Sequence, residues 1–385
     1  MNIESSFGPL KKKYQIGEIA YLAQEKGLIL SSGIEIKNFP IAYQTYGKLN
    51  QDKSNAILIC HALTGDQYVA SQNPVTQKDG WWNFMIGKGK AIDTDKFFVI
   101  CSNILGGCMG SYGPKEINKK TSKTYGLDFP VITINDMVKA QNLLIEYFGI
   151  NKLHAVIGGS TGGMQVLSWS ILYPHKVKLL IPIATSYRHS PQNIAFHEVG
   201  RQAIMLDSNW CNGNYIEKNS YPSNGLSTAR MTAHITYLSE IALQNKFGRD
   251  LKNKQGFLFN FNNEFEIESY LHHQGNKFIE RFDPNSYLYI TKAVDYFDLE
   301  SDFHGNLSEA FNTLAKINKE VKFCLISFSD DWLFPPSESR KITYALISKG
   351  INVSVVAIES NNGHDSFLVK NEQLENTISG FINNN

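Results

Sequence analysis

The chain has 385 residues, of which 42% are hydrophobic and 19% charged, and its formal net charge is +1. This length allows two average domains or one α/β domain enlarged by an insertion, and the composition is that of a globular protein with a sizeable core. The near-zero net charge argues against nucleic acid or an anionic membrane surface as a general partner.

The first part of the chain predicts short strands joined by turns, in the segments "GLILSSGIEI", "FPIAYQTYGK" and "NAILICHALTG". An apolar run that ends in a glycine-containing loop, as in the last segment, is typical of a buried strand. The segments "KFFVICSNILGG" and "LHAVIGGS" repeat this pattern. Between them, "TINDMVKAQNLLIEYFGI" has helical apolar spacing, with Asp136 near its start and Gly149 as a C-cap. Strand, helix, strand in this order predicts a parallel sheet with right-handed crossovers.

After "LLIPIATS" the pattern changes and predicts an inserted, mostly helical cap. This region includes the helical segments "RQAIMLDSNW" and "RMTAHITYLSEIALQ" and the loop-like "NGNYIEKNSYPSNGLS". Strands return with "VKFCLISFS" and "NVSVVAIES", which flank the helical "SESRKITYALISKG". We therefore divide the chain into a core at residues 1–186, a cap at 187–298 and the rest of the core at 299–385. We expect the Asn-rich last residues to be frayed.

One serine stands between two pairs of glycines at the end of a predicted strand, in "GGSTGG". Ser160 and its neighbours match G-x-S-x-G, and a strand before and a helix after this motif indicate a nucleophile elbow. The small neighbours allow the strained turn that exposes the hydroxyl. The N–H of Thr161, at the start of the following helix, is a candidate oxyanion donor. The alternative is a glycine-rich turn with an incidental serine.

A serine hydroxyl is a poor nucleophile near neutral pH, so it needs a base and an acid that orients the base. In this arrangement both follow the serine on loops after later strands. His364, in a glycine-flanked loop, is the one histidine of ten that lies just past a late strand. Asp330 and Asp331 both end an earlier strand, and spacing alone does not choose between them. The loop "CHALTGD" is placed for a second oxyanion donor, the N–H of Leu63, although an ordinary loop is the alternative.

The cysteines and the chain's beginning bear on its compartment. Five scattered cysteines without C-x-x-C spacing indicate neither a disulfide framework nor a zinc site. The first residues lack the apolar segment of a signal peptide, and no run approaches the roughly 18 apolar residues of a membrane span. We therefore expect a soluble, cytoplasmic protein with no metal and no bound cofactor.

Several long motifs resemble those of the homoserine O-acyltransferases, and most of all the homoserine O-acetyltransferases of methionine biosynthesis. The resemblance runs nearly end to end and includes "CHALTGD", "VICSNILGGCMGSYGP", "GGSTGGMQ", "IAFHEVGRQAI", "ARMTAHITYLS", "RFDPNSYLYITKA", "DWLFPP" and "GHDSFL". One departure is Thr161, where this family usually has Met. The resemblance implies an α/β-hydrolase fold, with a mostly parallel sheet, helices on both its faces and an inserted helical cap.

Roles for individual residues follow from the resemblance. It implies that Ser160 is the nucleophile and His364 the base. The family's acid directly precedes a Trp-Leu pair, which favours Asp331 over its neighbour. The resemblance also implies that Arg230 binds the carboxylate of the acceptor amino acid and that Asp365 binds its amino group.

The implied reaction transfers an acetyl group from acetyl-CoA, a co-substrate and not a bound cofactor, to the hydroxyl of L-homoserine through an acyl-serine. Relatives that use succinyl-CoA tend to carry arginine where this chain has Leu333, which favours acetyl-CoA. The alternatives are a homoserine O-succinyltransferase, a serine O-acyltransferase and a carboxylesterase on the same triad. The resemblance further implies a homodimer formed through the cap helices.

Overall fold

The computed structural model describes residues 4–254 and 256–385. Its strands within these ranges are β1 (Glu4–Phe7), β2 (Lys12–Gln15), β3 (Glu18–Leu22), β4 (Leu28–Ile29), β5 (Glu35–Ile36), β6 (Phe39–Tyr46), β7 (Ala56–Cys60), β8 (Ile86–Gly87), β9 (Ile92–Asp93), β10 (Phe98–Ser102), β11 (Ile117–Asn118), β12 (Lys123–Thr124), β13 (Leu153–Gly159), β14 (Val177–Ile183), β15 (Lys322–Phe328) and β16 (Asn352–Ile358). Its α-helices are α1 (Ile134–Tyr147), α2 (Thr161–Leu172), α3 (Pro191–Leu206), α4 (Ser223–Tyr237), α5 (Glu240–Phe247), α6 (Glu266–Ile279), α7 (Pro284–Asp295), α8 (Leu299–Asp302), α9 (Asn312–Ile317), α10 (Pro336–Ser348) and α11 (Glu372–Asn383). None of the helices in these two ranges is long and apolar enough to cross a membrane.

Eight strands form one sheet, in the order β16-β15-β14-β13-β7-β10-β6-β3. The six strands from β16 to β10 in this order run parallel, and β6 and β3 are antiparallel additions at one edge. Parallel neighbours need crossover connections, which α2 provides between β13 and β14 and α10 between β15 and β16. The helix α1 connects β10 to β13, which lie on either side of β7. The predicted mostly parallel sheet is confirmed.

Both faces of this sheet are buried. Side chains alternate along each strand, so Leu58 and Cys60 of β7 belong to one apolar core, whereas Ile57 and Ile59 belong to the other. Buried side chains of α1, α2 and α10 complete the first core, and those of α11 complete the second. The helices on both faces therefore agree with the predicted fold class.

A long insertion between β14 and β15 carries α3 to α7. The chain leaves and re-enters the core at one place, where Arg188 and Asp298 form an antiparallel bridge and the N–H of Leu299 donates to the carbonyl of Tyr187 at 3.0 Å. The predicted limits of the cap, residues 187 and 298, are thus neighbours in space. The division into core and cap stays a prediction.

Two predicted elements are interrupted. "GLILSSGIEI" is not one strand, because the chain reverses at Gly33, where φ is +81°, and forms the β4–β5 hairpin outside the main sheet. "RMTAHITYLSEIALQ" is not one helix. Leu238 has extended backbone angles, and the hydroxyl of Ser239 caps α5 by accepting the N–H of Ala242 at 3.1 Å.

Two segments predicted as irregular are helical at their ends. The loop-like "NGNYIEKNSYPSNGLS" enters α4 at Ser223, and Gly225 lets α4 approach α3 so closely that a Cβ there would overlap the carbonyl of Ala203. Of the Asn-rich last residues, Asn383 ends α11 and the N–H of Asn384 donates to the carbonyl of Gly380 at 3.2 Å. Leu374, Ile378 and Ile382 of this helix are buried at a spacing of four residues. The composition of these two segments does not indicate the start of α4 or the end of α11.

Candidate active site

The nucleophile elbow joins β13 to α2. Ser160 has φ +59° and ψ −125°, a strained conformation for a residue with a side chain. Its N–H donates to the carbonyl of Ile183 in the neighbouring strand at 2.9 Å, which fixes the turn to the sheet. Gly162 allows α2 to start close to β7, because a Cβ there would overlap the carbonyl oxygen of Cys60. The elbow therefore places one hydroxyl at the carboxyl end of the sheet.

The structure brings three of the predicted site residues into one hydrogen-bonded chain. Nε2 of His364 lies 2.8 Å from Oγ of Ser160, and Nδ1 of His364 lies 2.8 Å from Oδ2 of Asp331. All three side chains are buried. Burial alone would lower the pKa of His364, but the carboxylates of Asp331 and Asp365 outweigh it and raise this pKa above the usual value. The imidazole is thus placed to take the serine proton.

The two adjacent aspartates have different partners. The other oxygen of Asp331 accepts the backbone N–H groups of Leu333 and Phe334 at 3.0 and 2.9 Å, which fixes the carboxylate toward the imidazole. Oδ2 of Asp330 instead accepts the N–H of Gly363 at 3.0 Å. Asp330 therefore supports the loop that carries the histidine, and Asp331 contacts the ring.

The two predicted oxyanion donors lie beside the serine. Leu63 and Thr161 line a small cavity of about 40 Å³ together with Ser160. The N–H of Thr161 is at the first position of α2 and has no intrahelical partner. No residue in the described ranges accepts a hydrogen bond from the N–H of Leu63 or of Thr161. Both donors are therefore available to an oxyanion at the serine.

Arg230, on α4, is half-buried and has no carboxylate partner among the described residues. Its Nη1 donates to Oγ1 of Thr64 at 3.1 Å, and its guanidinium lies over the rings of Phe278 and Tyr237, at 4.7 and 5.5 Å from their centroids. Asp365 is half-buried next to the triad. Burial raises the pKa of this carboxyl group, and the charges of His364 and Arg230 oppose that effect. An unpaired cation and a carboxylate thus flank the triad.

A second, larger cavity of about 480 Å³ adjoins Arg230. Lys78, Lys277 and Arg281 contribute cationic side chains to its lining, and Trp81 contributes an aromatic one. The lining also contains three carboxylates, those of Asp66, Asp79 and Glu280. The helix α4 lines both cavities, because Arg230 borders the large one and the next two turns of the helix border the small one. The two cavities therefore share one wall.

Three residues near the site had no predicted role. Thr64 holds Arg230 through its hydroxyl, and its carbonyl accepts the Nη1 of Arg281 at 2.9 Å. The ring of Tyr237 lies 6.1 Å from that of His364 and also contacts Arg230. All three lie in motifs that carry the family resemblance, and polar residues inside such motifs were the available signal.

Asp295, on α7, is the centre of a hydrogen-bond network beside the small cavity. Nδ1 of His189 and of His197 lie 2.9 and 2.8 Å from Oδ1 of Asp295, and Nη1 of Arg201 donates to Oδ2 at 2.6 Å. Burial alone would raise the pKa of Asp295, but these two hydrogen bonds and the charge of Arg201 lower it overall. Within the described ranges this is the one group of histidine, cysteine and acidic side chains compact enough to share a metal ion, and Arg201 already binds its carboxylate.

Comparison with known proteins extends these findings. Residues 55–371 match the family model of the alpha/beta hydrolase fold, which confirms the predicted fold class. The chain is 57% identical to the homoserine O-acetyltransferases of Mesorhizobium japonicum and Pelagibacter ubique, over 93% of its length and 91% and 95% of theirs. Among solved structures, homoserine O-acetyltransferase from Bacillus anthracis has a TM-score of 0.84 and 30% identity, covering 95% of this chain and 97% of that one. Esterase E22 has a TM-score of 0.83 and 31% identity, covering 95% and 99%.

Proposed function

The chain belongs to the homoserine O-acetyltransferase family of the α/β-hydrolase fold, and we propose that Ser160, His364 and Asp331 carry out its acyl transfer. The chain is an acyltransferase, and the reaction of its family moves an acetyl group to the hydroxyl of homoserine. The observation that carries the assignment of residues is the hydrogen-bonded chain from the Ser160 hydroxyl through His364 to Asp331, at 2.8 Å for each step.

The first half of the reaction forms an acyl-enzyme. His364 accepts the proton of Ser160 while Oγ attacks the thioester carbon of acetyl-CoA. The N–H groups of Leu63 and Thr161 donate to the oxyanion, and each donor of this kind lowers a barrier by about 3 kcal/mol. The C–S bond then breaks, the CoA sulfur takes the proton from His364, and acetyl-serine remains.

The second half of the reaction transfers the acetyl group to homoserine and regenerates the free serine hydroxyl. His364 accepts the proton of the homoserine hydroxyl, and that oxygen attacks the acetyl carbon. The bond to Oγ breaks, and Ser160 regains its proton from the imidazole. Arg230 binds the carboxylate of homoserine and Asp365 its ammonium group. The free guanidinium of Arg230 supports this role, since it has no carboxylate partner within the described part of the chain.

Acetyl-CoA enters as a co-substrate through the larger cavity. The cations of Lys78, Lys277 and Arg281 in its lining suit the phosphate groups of CoA. The small cavity suits a short acyl group, because its volume is about 40 Å³ and Leu333 contributes an apolar side chain to its wall. These features support acetyl over succinyl as the transferred group.

A carboxylesterase is the second candidate, because esterase E22 shares the fold and 31% identity. The unpaired Arg230 favours the transferase, since hydrolysis has no need of a binding site for an amino-acid carboxylate. Initial rates with acetyl-CoA and succinyl-CoA, each with homoserine, serine or water as acceptor, distinguish the candidates. We expect acetyl-CoA with homoserine to be fastest and its double-reciprocal plots to be parallel; faster hydrolysis than transfer would favour the esterase.

We also propose that the enzyme acts in methionine biosynthesis in the cytoplasm and forms a homodimer through its cap helices. Five free cysteines support a reducing compartment. Exposed apolar side chains on α3, α4 and α5 support an interface on the cap; they are Val199, Leu206, Ile235 and Ile241. Light scattering of the purified protein tests the dimer, and a monomer at micromolar concentration would contradict it.

A further inference from the structure

A buried amide on α2 connects the two backbone segments that carry the proposed oxyanion donors. Gln165 lies one turn into α2, and its side chain is fully buried. Its Nε2 donates to the carbonyl of His61 at 3.2 Å and to that of Thr161 at 3.4 Å. His61 is the first residue after β7 and begins the loop of residues 61–66, here called the oxyanion loop, which carries Leu63. One NH₂ group therefore binds both the oxyanion loop and the start of the helix.

The orientation of this amide is fixed by a chain of hydrogen bonds between buried side chains. Oε1 of Gln165 accepts from Nε2 of Gln141 at 2.6 Å, and Oε1 of Gln141 accepts from the indole Nε1 of Trp169 at 2.8 Å. An indole N–H can only donate and a backbone carbonyl can only accept, so the two ends of the chain determine the direction of every bond in it. Gln165 must therefore present its NH₂ group, and not its oxygen, to the oxyanion loop.

Hydrogen bonds within the oxyanion loop direct the N–H of Leu63. The carbonyl of Ala62 accepts the N–H of Gly65 at 2.9 Å and lies 2.8 Å from Nδ1 of His61. Nε2 of the same ring accepts the N–H of Ile104 at 3.1 Å, so Nδ1 carries the proton. Burial lowers the pKa of His61 to about 4, which keeps the ring neutral at pH 7. Because C=O and N–H point in opposite directions in a trans peptide, the N–H of Leu63 points away from this ring.

Gln165 holds the peptide that precedes this one. The carbonyl that it binds belongs to the His61–Ala62 peptide, and the N–H of Leu63 belongs to the next peptide along the chain. Helix and loop are in close contact here, since a Cβ on Gly162 would lie 3.2 Å from the carbonyl oxygen of His61. Loss of the amide would therefore release the oxyanion loop from α2 without removing a group that borders either cavity.

The other donor has a support of its own. The N–H of Thr161 belongs to the Ser160–Thr161 peptide, and the carbonyl of that peptide accepts the hydroxyl of Thr185 at 2.8 Å and the N–H of Gly163 at 2.9 Å. These contacts do not involve Gln165. Loss of its amide should therefore displace one oxyanion donor and leave the other in place.

We propose that Gln165 is a positioning residue, whose amide holds the oxyanion loop on α2 so that the N–H groups of Leu63 and Thr161 reach the same oxyanion. The inference rests on the proposed acyl transfer through Ser160. It deepens that proposal, because it explains how donors from two separate segments of the chain keep a fixed spacing.

Gln165→Met tests the proposal, because methionine has a similar length and no donor. The probes are two ketone analogues of acetyl-CoA, CF₃COCH₂–S–CoA and CH₃COCH₂–S–CoA. With the fluorinated ketone, Oγ of Ser160 bonds to the carbonyl carbon, His364 takes the serine proton and the carbonyl oxygen becomes an oxyanion. The methyl ketone binds without forming this charge. We expect the variant to raise Ki for the fluorinated ketone about 10- to 100-fold, somewhat less than the effect of removing a donor outright, and to change Ki for the methyl ketone less than about twofold.

Asn318→Leu is the matched control. Asn318 is also a buried amide, and its Nδ2 donates to the carbonyls of Pro174 and Val177 at 2.8 Å each. Those carbonyls lie at the amino end of β14, at the edge of the sheet opposite to the triad. Asn318→Leu should lower Tm, as Gln165→Met does, but leave both Ki values unchanged. Equal changes in the two Ki values of Gln165→Met, or no change in either, overturn the inference.

A double variant covers the case in which Gln165→Met does not fold. The single substitution leaves Nε2 of Gln141 without an acceptor, whereas Gln141→Met combined with Gln165→Met removes that unpaired donor. The ratio of the two Ki values should rise as in the single variant, and an unchanged ratio overturns the inference. A wild-type protein that forms no adduct with the fluorinated ketone would instead contradict the proposed acyl transfer through Ser160.

Discussion

Oγ of Ser160 lies 2.8 Å from Nε2 of His364, although 204 positions separate the two residues in the chain. The parallel sheet accounts for this contact. Ser160 follows β13 and His364 follows β16, and the carboxyl ends of parallel strands meet at the same edge of a sheet. Asp331 follows β15 at that edge. The fold therefore assembles the triad from three loops without any change in the sheet.

The pH dependence of the first half-reaction tests the role of the imidazole. Only neutral His364 can accept the serine proton, so kcat/KM for acetyl-CoA should fall as the pH falls through its pKa. Asp331 and Asp365 raise this pKa against the effect of burial. The acid limb of the pH–rate profile should therefore have its midpoint above pH 6.5.

Asp331→Asn should shift this limb to lower pH and lower kcat by about 10³- to 10⁴-fold, because the carboxylate that orients and stabilises the imidazolium is lost. Asp330→Asn is the adjacent control and should keep the limb in place. A pH profile unaffected by Asp331→Asn would contradict the assignment of the acid.

Arg230→Ala should reduce kcat/KM for homoserine by about 10- to 100-fold, the loss expected for a charge-assisted hydrogen bond to a carboxylate. Hydrolysis of a simple aryl ester, which needs no carboxylate site, should be almost unchanged. Arg249→Ala is the matched control, since Arg249 packs over the ring of Phe265 in the cap and lines neither cavity. Equal losses in both reactions of Arg230→Ala would indicate a structural role instead.

Leu333→Arg should raise the rate with succinyl-CoA relative to acetyl-CoA, because it adds a cation to a cavity whose described lining has none. Leu333→Met changes the shape of the side chain without charge and should leave succinyl-CoA a poor donor. Initial rates with the two donors at a fixed homoserine concentration measure the effect. If both variants change the ratio equally, cavity shape and not charge sets the preference for the donor.

Ile382→Ala should lower the free energy of unfolding by about 2–4 kcal/mol, because this side chain at the end of α11 is 1% exposed in a close-packed core. Ile347→Ala, on the exposed side of α10 with 57% exposure, should change it by less than about 0.5 kcal/mol. Urea unfolding of the two variants measures both values. Equal, small effects would mean that the C-terminal helix does not contribute to stability.

The elbow could be predicted from the sequence because its physics is local. A strand, small residues around one serine and a helix specify the turn within about ten positions, and Ser160 has the strained angles that such a turn requires.

The choice between Asp330 and Asp331 is different, because spacing leaves it open. It depends on contacts with Gly363 and His364, more than 30 positions away along the chain.

Spacing along the chain gave no signal for the network around Asp295, although His197 and Arg201 lie in the motif "IAFHEVGRQAI". His189 and Asp295 are 106 positions apart, and they meet only because α7 packs against the start of the cap. The first turns of α4, in "SNGLSTA", were predicted as a loop, and α11 was not predicted, for a related reason. Gly225 and the asparagines of α11 have low helix propensity, and packing against α3 and against the second core overrides it.

The most direct test of the central claim is the intact mass of the protein after incubation with acetyl-CoA in the absence of homoserine. A serine nucleophile predicts a mass gain of one acetyl group, located on the peptide that contains Ser160 and removed when homoserine is added. Ser160→Ala should show no gain and no transfer. If no acyl-enzyme forms and Ser160→Ala still acetylates homoserine, the reaction does not proceed through Ser160.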